Sequence, residues 1–190
     1  VRVTLSPSGG RGFSLIELMV TISVAAILMT VALPSLTNWI QNTKVRSTAE
    51  ALQNGMRLAK TEAVRRSRLV DFRLTAVTPP AKDAATSKTG NNWYVQENGV
   101  LLAADASDPS SSYVQGSSLA GANANVAVAG DVDILTFTSL GRLNNTGKAP
   151  YIFTISNAGD RPLWIVVTQG GQIRMCDPNI TLSNSTPTGC

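Results

Sequence analysis

Three side chains in this 190-residue chain stand where chemistry could follow: Glu17, a carboxylate set one turn into an apolar run, and the only two cysteines, Cys176 and Cys190. The thiols are separated by a short loop near the carboxyl end. That spacing is consistent with a disulfide formed in an oxidising compartment such as a periplasm or cell surface, with two free thiols as the alternative. Histidine is absent. Without it, and with no Gly-x-Ser-x-Gly elbow and no clustered metal ligands, the chain offers neither a nucleophile with its base nor a metal or cofactor site. A non-enzymatic protein is expected. Glu17 is the sharper anomaly, because a carboxylate in a membrane helix costs on the order of 2.5–3.5 kcal/mol at the bilayer centre and less towards an end. A free α-amino group of a neighbouring chain, positive at neutral pH, would offset that cost; the alternative is an interfacial glutamate among lipid headgroups.

The element that must carry Glu17 is the run FSLIELMVTISVAAILMTVALPSLTNWI over residues 13–40, in which Leu18 to Ile40 are 23 residues without a charge. A helix of that length spans roughly 30 Å of hydrocarbon, so the segment is expected to cross a membrane. Ahead of it, residues 1–12 hold two arginines, no acid, and Pro7, Gly9, Gly10 and Gly12, which discourage helix. A secretory signal would place its small-residue cleavage site after the apolar run. Here the small residues precede it, so the apolar segment is expected to stay in the mature chain. Pro34 interrupts the hydrogen-bond ladder and should kink or loosen the helix.

Beyond Trp39, Val45, Ala49, Leu52, Met56, Ala59 and Ala63 recur at spacings of four and three, the apolar stripe of an amphipathic helix. One helix from Phe13 to about Arg68 is predicted, its second half laying that stripe on a sheet and exposing its bases. Val70, Phe72, Leu74 and Ala76 then alternate with Asp71, Arg73 and Thr75 as in a half-buried strand, which Pro79-Pro80 ends. Further strands are expected over 93–96, 98–103, 131–138, 151–156, 163–168 and 172–176, with Gly170-Gly171 as a tight turn between the last two. The Ser/Ala/Gly/Asn-rich stretch over 105–130 reads as a long loop. The expected class is α+β: a long amino-terminal helix, hydrophobic then amphipathic, packed on an antiparallel sheet. With 43% hydrophobic and 15% charged residues, one compact domain over 41–190 and one apolar segment account for the composition.

Net charge says little about partners, since the formal +4 falls to 14 bases against 12 acids without Arg2 and Arg11. Its distribution is less even: residues 44–73 carry eight bases against three acids, leaving the rest of the mature chain net acidic. Such polarity can orient subunits against one another or attract an anionic polymer; a solvated helix face is the plainer explanation.

Arg11-Gly12-Phe13-Ser14-Leu15-Ile16-Glu17 resembles the class III signal of type IV prepilins and type II secretion pseudopilins. The resemblance implies a leader over 1–12, cleavage after Gly12 by a prepilin peptidase, methylation of the new amino terminus at Phe13, and engagement of a neighbouring amino terminus by Glu17 during assembly. It also implies an inner-membrane, single-pass protein with a periplasmic head that then enters a cell-surface filament. Charge counting alone leaves the orientation undecided, because Lys44 and Arg46 lie just beyond the span. Type IV pilins carry a disulfide-bounded carboxyl-terminal loop and pseudopilins commonly lack one, so the cysteine pair favours the former.

Ile134-Leu135-Thr136-Phe137 with Gly141-Arg142, and Gly171 to Pro178, are similar to the carboxyl domain of the GspH/FimT/FimU group. This similarity implies a minor pilin whose partners are other major and minor pilins or pseudopilins. Some FimT-like members bind DNA through a Gly-Arg-x-Arg element; the matching Gly171-Gln172-Ile173-Arg174 lacks the first arginine. Nucleic acid is therefore a partner only through Arg174, Lys148 and Arg142, a weak and salt-sensitive set of phosphate contacts. Sequons at Asn144, Asn179 and Asn184 would permit glycosylation.

Overall fold

The structure, a computed structural model, describes residues 12–98, 112–118, 125–147, 149–157 and 161–190, with the side chains of 31–35 left out. The leader before Gly12, the expected strand beyond Gly99, Lys148 and the side chain of Pro34 lie outside this description. The chain divides into two compact units, Val1–Trp39 and Ile40–Cys190.

A single α-helix, α1 (Leu15–Arg66), contributes to both units. It begins at Ser14, whose carbonyl accepts from the Leu18 amide at 3.1 Å and whose Oγ accepts from the Glu17 amide at 3.2 Å. These are the bonds of an N-cap, and Ser-x-x-Glu is the matching sequence pattern. In the first unit the large apolar side chains face outward, among them Phe13, Leu15, Ile16, Met19, Ile22, Ile27 and Leu28. The hydroxyls between Leu18 and Thr30 are satisfied within the helix. Thr21 donates to the Leu18 carbonyl, Ser23 to that of Met19 and Thr30 to that of Ile27, at 2.7–2.8 Å. Among the described residues no helix is long and apolar enough to cross a membrane, and the undescribed side chains at 31–35 fall inside the apolar run.

In the second unit the predicted stripe is buried: Val45, Ala49, Leu52, Met56, Ala59 and Ala63 are 0–2% exposed. Eight strands follow, β1 (Leu69–Thr75), β2 (Asn92–Asn98), β3 (Tyr113–Ser118), β4 (Ala127–Gly130), β5 (Ile134–Phe137), β6 (Tyr151–Ser156), β7 (Leu163–Val167) and β8 (Ile173–Cys176). They form two antiparallel sheets of four rather than one, in the orders β3-β2-β1-β5 and β4-β6-β7-β8. Inward residues of both sheets join the helical stripe in one apolar cluster.

Two expectations are corrected. The stretch 105–130 holds strands at its centre and end, β3 and β4, short and poor in large apolar residues because each is an edge strand. In β1 the polar face is also buried: Asp71 and Thr75 are 0% exposed. The segment after β1 folds back over it, with Thr75 Oγ1 donating to the Ala85 carbonyl and Tyr94 Oη to that of Ala84. Asp71 is held by Arg73 at 2.7 Å, Thr136 at 2.7 Å and Asn98 at 2.9 Å, which satisfies both carboxylate oxygens.

Candidate functional site

The residues that could act in processing and assembly gather at the start of α1. Gly12, Phe13 and Ser14 are non-helical and exposed, and no atom lies within 4 Å of where a side chain on Gly12 would begin. Both residues flanking the Gly12–Phe13 bond are thus exposed. Glu17 lies in the first turn of α1, exposed. Its amide is taken by Ser14, so the cap holds the turn by main-chain contact while the carboxylate remains available. Ser14 went unassigned in the sequence reading although the Ser-x-x-Glu signal was present.

The basic run over 44–73 is largely consumed by structure. Glu62 accepts from Arg65 at 2.6 Å and Arg66 at 2.8 Å, and Glu97 accepts from Arg68 at 2.6 Å and Arg66 at 3.4 Å. The Arg65 hydrogen bond, opposed by desolvation and aided by Arg66, holds the Glu62 carboxyl below its ordinary range. Arg46 pairs with Glu50 and Arg73 with Asp71. Lys60 donates to the Gly171 carbonyl at 2.9 Å. Lys44 and Arg57 have no ion pair among the described residues, so the expected exposed basic face reduces mainly to these two and the outward arms of Arg46 and Arg65.

At the carboxyl end Cys176 and Cys190 are bonded, with Cα atoms 5.2 Å apart and a sequence separation of 14. The bond closes a loop against β8, where the Asp177 amide donates to the Thr188 carbonyl at 2.8 Å and the Cys190 amide to the Asp177 carbonyl at 3.2 Å.

Two turns of one construction meet nearby. In Thr138–Arg142 and Thr168–Gln172 the threonine carbonyl accepts from the glycine three residues on, at 2.8 Å in each. Gly141 and Gly171 have φ of +70° and +76°, the left-handed region that favours glycine. A Cβ on Gly171 would lie 1.9 Å from the Gly141 carbonyl oxygen, so the two turns touch through backbone. Their shared Thr-x-x-Gly pattern also went unread in the sequence.

Of the three cations proposed for phosphate contact, Arg142 is exposed on the first turn. Arg174 on β8 reaches the Gly189 carbonyl at 3.5 Å, within the disulfide loop. The described contacts do not join the two arginines, and Lys148 lies outside the described residues.

Residues 48–181 match the family model described as Type II transport protein GspH, and residues 8–33 match the Prokaryotic N-terminal methylation motif. Among solved structures the chain is similar to the type IV minor pilin FimU of Pseudomonas aeruginosa. In one crystal form the identity is 21% and the TM-score 0.51, over 74% of this chain and 96% of that one. In a second form the identity is also 21% and the TM-score 0.48, over 70% and 96%. The first of these likenesses bears on the fold. No curated protein matches the chain.

Proposed function

This chain belongs to the GspH family, and on that premise we propose that it is a minor pilin, a structural subunit that takes part in initiating and assembling type IV pili. Twitching motility and uptake of DNA are the processes such a subunit would serve. The observation that carries the reading is the start of α1: an exposed Gly12–Phe13 bond, a cap at Ser14, and the Glu17 carboxylate one turn in.

On this reading a prepilin peptidase cuts after Gly12 and methylates Phe13. Residues 13–40 then hold the chain in the inner membrane with the head in the periplasm, and later pack in the filament, with Pro34 as the place where the helix loosens. The internally bonded hydroxyls of Thr21, Ser23 and Thr30 support an apolar surrounding, since each donor is met without water. Glu17 pairs with the amino terminus of an adjacent subunit. No catalytic step and no cofactor are assigned.

Amino-terminal sequencing of the membrane-extracted protein tests this directly. A start at N-methyl-phenylalanine 13 is expected, whereas an intact leader or a cut near Ala32 would overturn it. In cells, Glu17→Ala should lower incorporation into filaments at least tenfold; normal incorporation would remove the pairing role.

A second reading, a pseudopilin of a type II secretion system, is favoured by the description of the family model itself. The closed Cys176–Cys190 loop favours the pilus instead. Deleting the gene separates them: loss of twitching supports the first and loss of enzyme secretion the second. Capture of DNA at a pilus tip has less support, because Arg174 is already drawn to the Gly189 carbonyl.

A further inference from the structure

The edges of the two sheets are treated differently. On β5 the outward groups are met by chain: the Asn145 side chain accepts from the Thr136 amide at 2.8 Å and donates to the Ile134 carbonyl at 2.7 Å, while the Asn144 amide donates to the Thr136 carbonyl at 2.8 Å. On β4 the Gly130 amide donates to the Lys88 carbonyl at 2.7 Å, and the Asn91 side chain donates to the Val126 carbonyl at 3.0 Å. Such covering is how sheets avoid unwanted pairing.

β8 is also an edge strand, and its phase can be worked out. The Thr168 amide donates to the Gln172 carbonyl at 3.0 Å, which makes that pair a bonded one. Bonded pairs alternate along an antiparallel ladder, so Arg174 and Cys176 exchange bonds with Val166 and Trp164. The amides and carbonyls of Ile173, Met175 and Asp177 therefore point away from β7. At Asp177 this is borne out, since both its groups are taken by Thr188 and Cys190. Just before β8, the Gly171 carbonyl is taken by Lys60. Between these two ends the outward groups of Ile173 and Met175 have no partner among the described residues.

We infer that the outward edge of β8 at Ile173–Met175 is a strand-addition surface that takes up an extended segment of a neighbouring subunit, a pilin-family chain other than a second copy of this one. The inference rests on the assembly reading given above, which supplies the kind of partner. The main chain dictates the form of the occupant: alternating donors and acceptors along one line are matched by another extended backbone. Side chains add its chemistry. Ile173 and Met175 face the core side, in register with the buried Val167 and Ile165, yet remain half-buried, so the added strand places apolar residues beside them. Arg174 lies on the opposite face, with its guanidinium on the Gly189 carbonyl. β8 is short, four residues, and carries the charged Arg174, but it holds no lysine, proline or bulge.

The test is Met175→Pro in the full-length chain, expressed in its own cells. Proline removes one outward amide and leaves the bonds to β7 in place. The variant should keep its disulfide, its processing at Phe13 and its melting temperature to within a few degrees. Its incorporation into sheared filaments should fall at least tenfold, while Met175→Ala, which retains the amide, should incorporate within twofold of wild type. A folded, processed Met175→Pro chain that incorporates normally overturns the inference, as does an equal loss with Met175→Ala. A Met175→Pro chain that fails to fold also overturns it, by placing the amide inside the head. Self-association of the purified chain that Met175→Pro abolishes would assign the edge to a second copy instead, and the stated occupant would be wrong. If wild type itself is neither processed nor incorporated, the assembly reading fails first and takes this inference with it.

Discussion

Gly55 sits within α1, where alanine normally stabilises a helix by about 1 kcal/mol relative to glycine. Here the substitution should do the opposite. A Cβ at this position would lie 2.9 Å from Cδ2 and Cε2 of Trp93 and 3.0 Å from Cε2 of Phe72, against about 3.5–4.0 Å for a comfortable carbon contact. Neither ring can swing clear easily, for Trp93 is 4% and Phe72 0% exposed. Phe72 is also braced by Trp93 at 5.8 Å and by Phe153 at 6.5 Å between ring centroids. Overpacking of this kind costs about 1–3 kcal/mol, which outweighs the helix-propensity gain. The net loss should be up to about 2 kcal/mol, a fall in Tm of up to roughly 8 °C for a chain of this size. Thermal melting followed by near-ultraviolet circular dichroism would measure it, with Asn54→Ala on the exposed face as a control that should not lower Tm. Because the clash is with the indole, Trp93→Phe should shrink the cost of Gly55→Ala, a coupling that a double-mutant cycle reads out. A Gly55→Ala chain that melts higher than wild type would refute this account of how closely helix and sheet approach.

Two further outcomes are expected. Replacing Cys176 and Cys190 together by serine opens a loop with a sequence separation of 14, which should cost about 3 kcal/mol by chain entropy, read in hydrogen exchange as lower protection of the core amides that exchange only by global unfolding. Glu62 has its carboxyl pKa lowered in the fold by Arg65 and Arg66, so its contribution is present above the unfolded carboxylate value, about 4.3, and is lost as pH falls through the lower folded value. Glu62→Gln should therefore lower the urea midpoint at pH 7, and its difference from wild type should shrink as the pH is taken below 4; a constant difference across that range would show that the ion pairs are not its source.

How much of this could be read from the sequence depended on the range of the forces involved. The apolar stripe from Val45 to Ala63 was legible because helical periodicity is local, and all six residues are buried. The β7–β8 hairpin was legible for the same reason, since Gly170-Gly171 marks its turn. The division into two sheets was not, because alternation tells which side of a strand is apolar and not which strand lies beside it. β3 and β4 were hidden by their composition: Gly116 and Gly130 occupy strands because packed neighbours leave no room for a side chain, Tyr113 Oη and the Phe153 ring lying 2.3 and 2.6 Å from where a Cβ would sit. Burial of Asp71 was equally hidden, since its partners Asn98 and Thr136 come from 27 and 65 residues away.

The same distinction of range explains why the processing site was the most legible part of the molecule. Everything needed there is within seven residues: an uncapped glycine, the Gly12–Phe13 bond, Ser14 and Glu17. Ser14 lies on the carboxyl side of that bond, and its Oγ and carbonyl already hold the amides of Glu17 and Leu18. The first turn of α1 therefore does not depend on residues before Phe13 for its cap. On the proposed function, a cut at that bond adds one positive charge at the helix start without unwinding the turn that carries Glu17. That charge meets the positive end of the helix dipole, which disfavours it there unless a carboxylate lies close. Glu17 of the same chain and Glu17 of a neighbour can both supply one. On that proposal an apolar surrounding would make leaving either charge unpaired costly, and exchange of partners between neighbouring chains is one arrangement, beside pairing within a chain, that satisfies both.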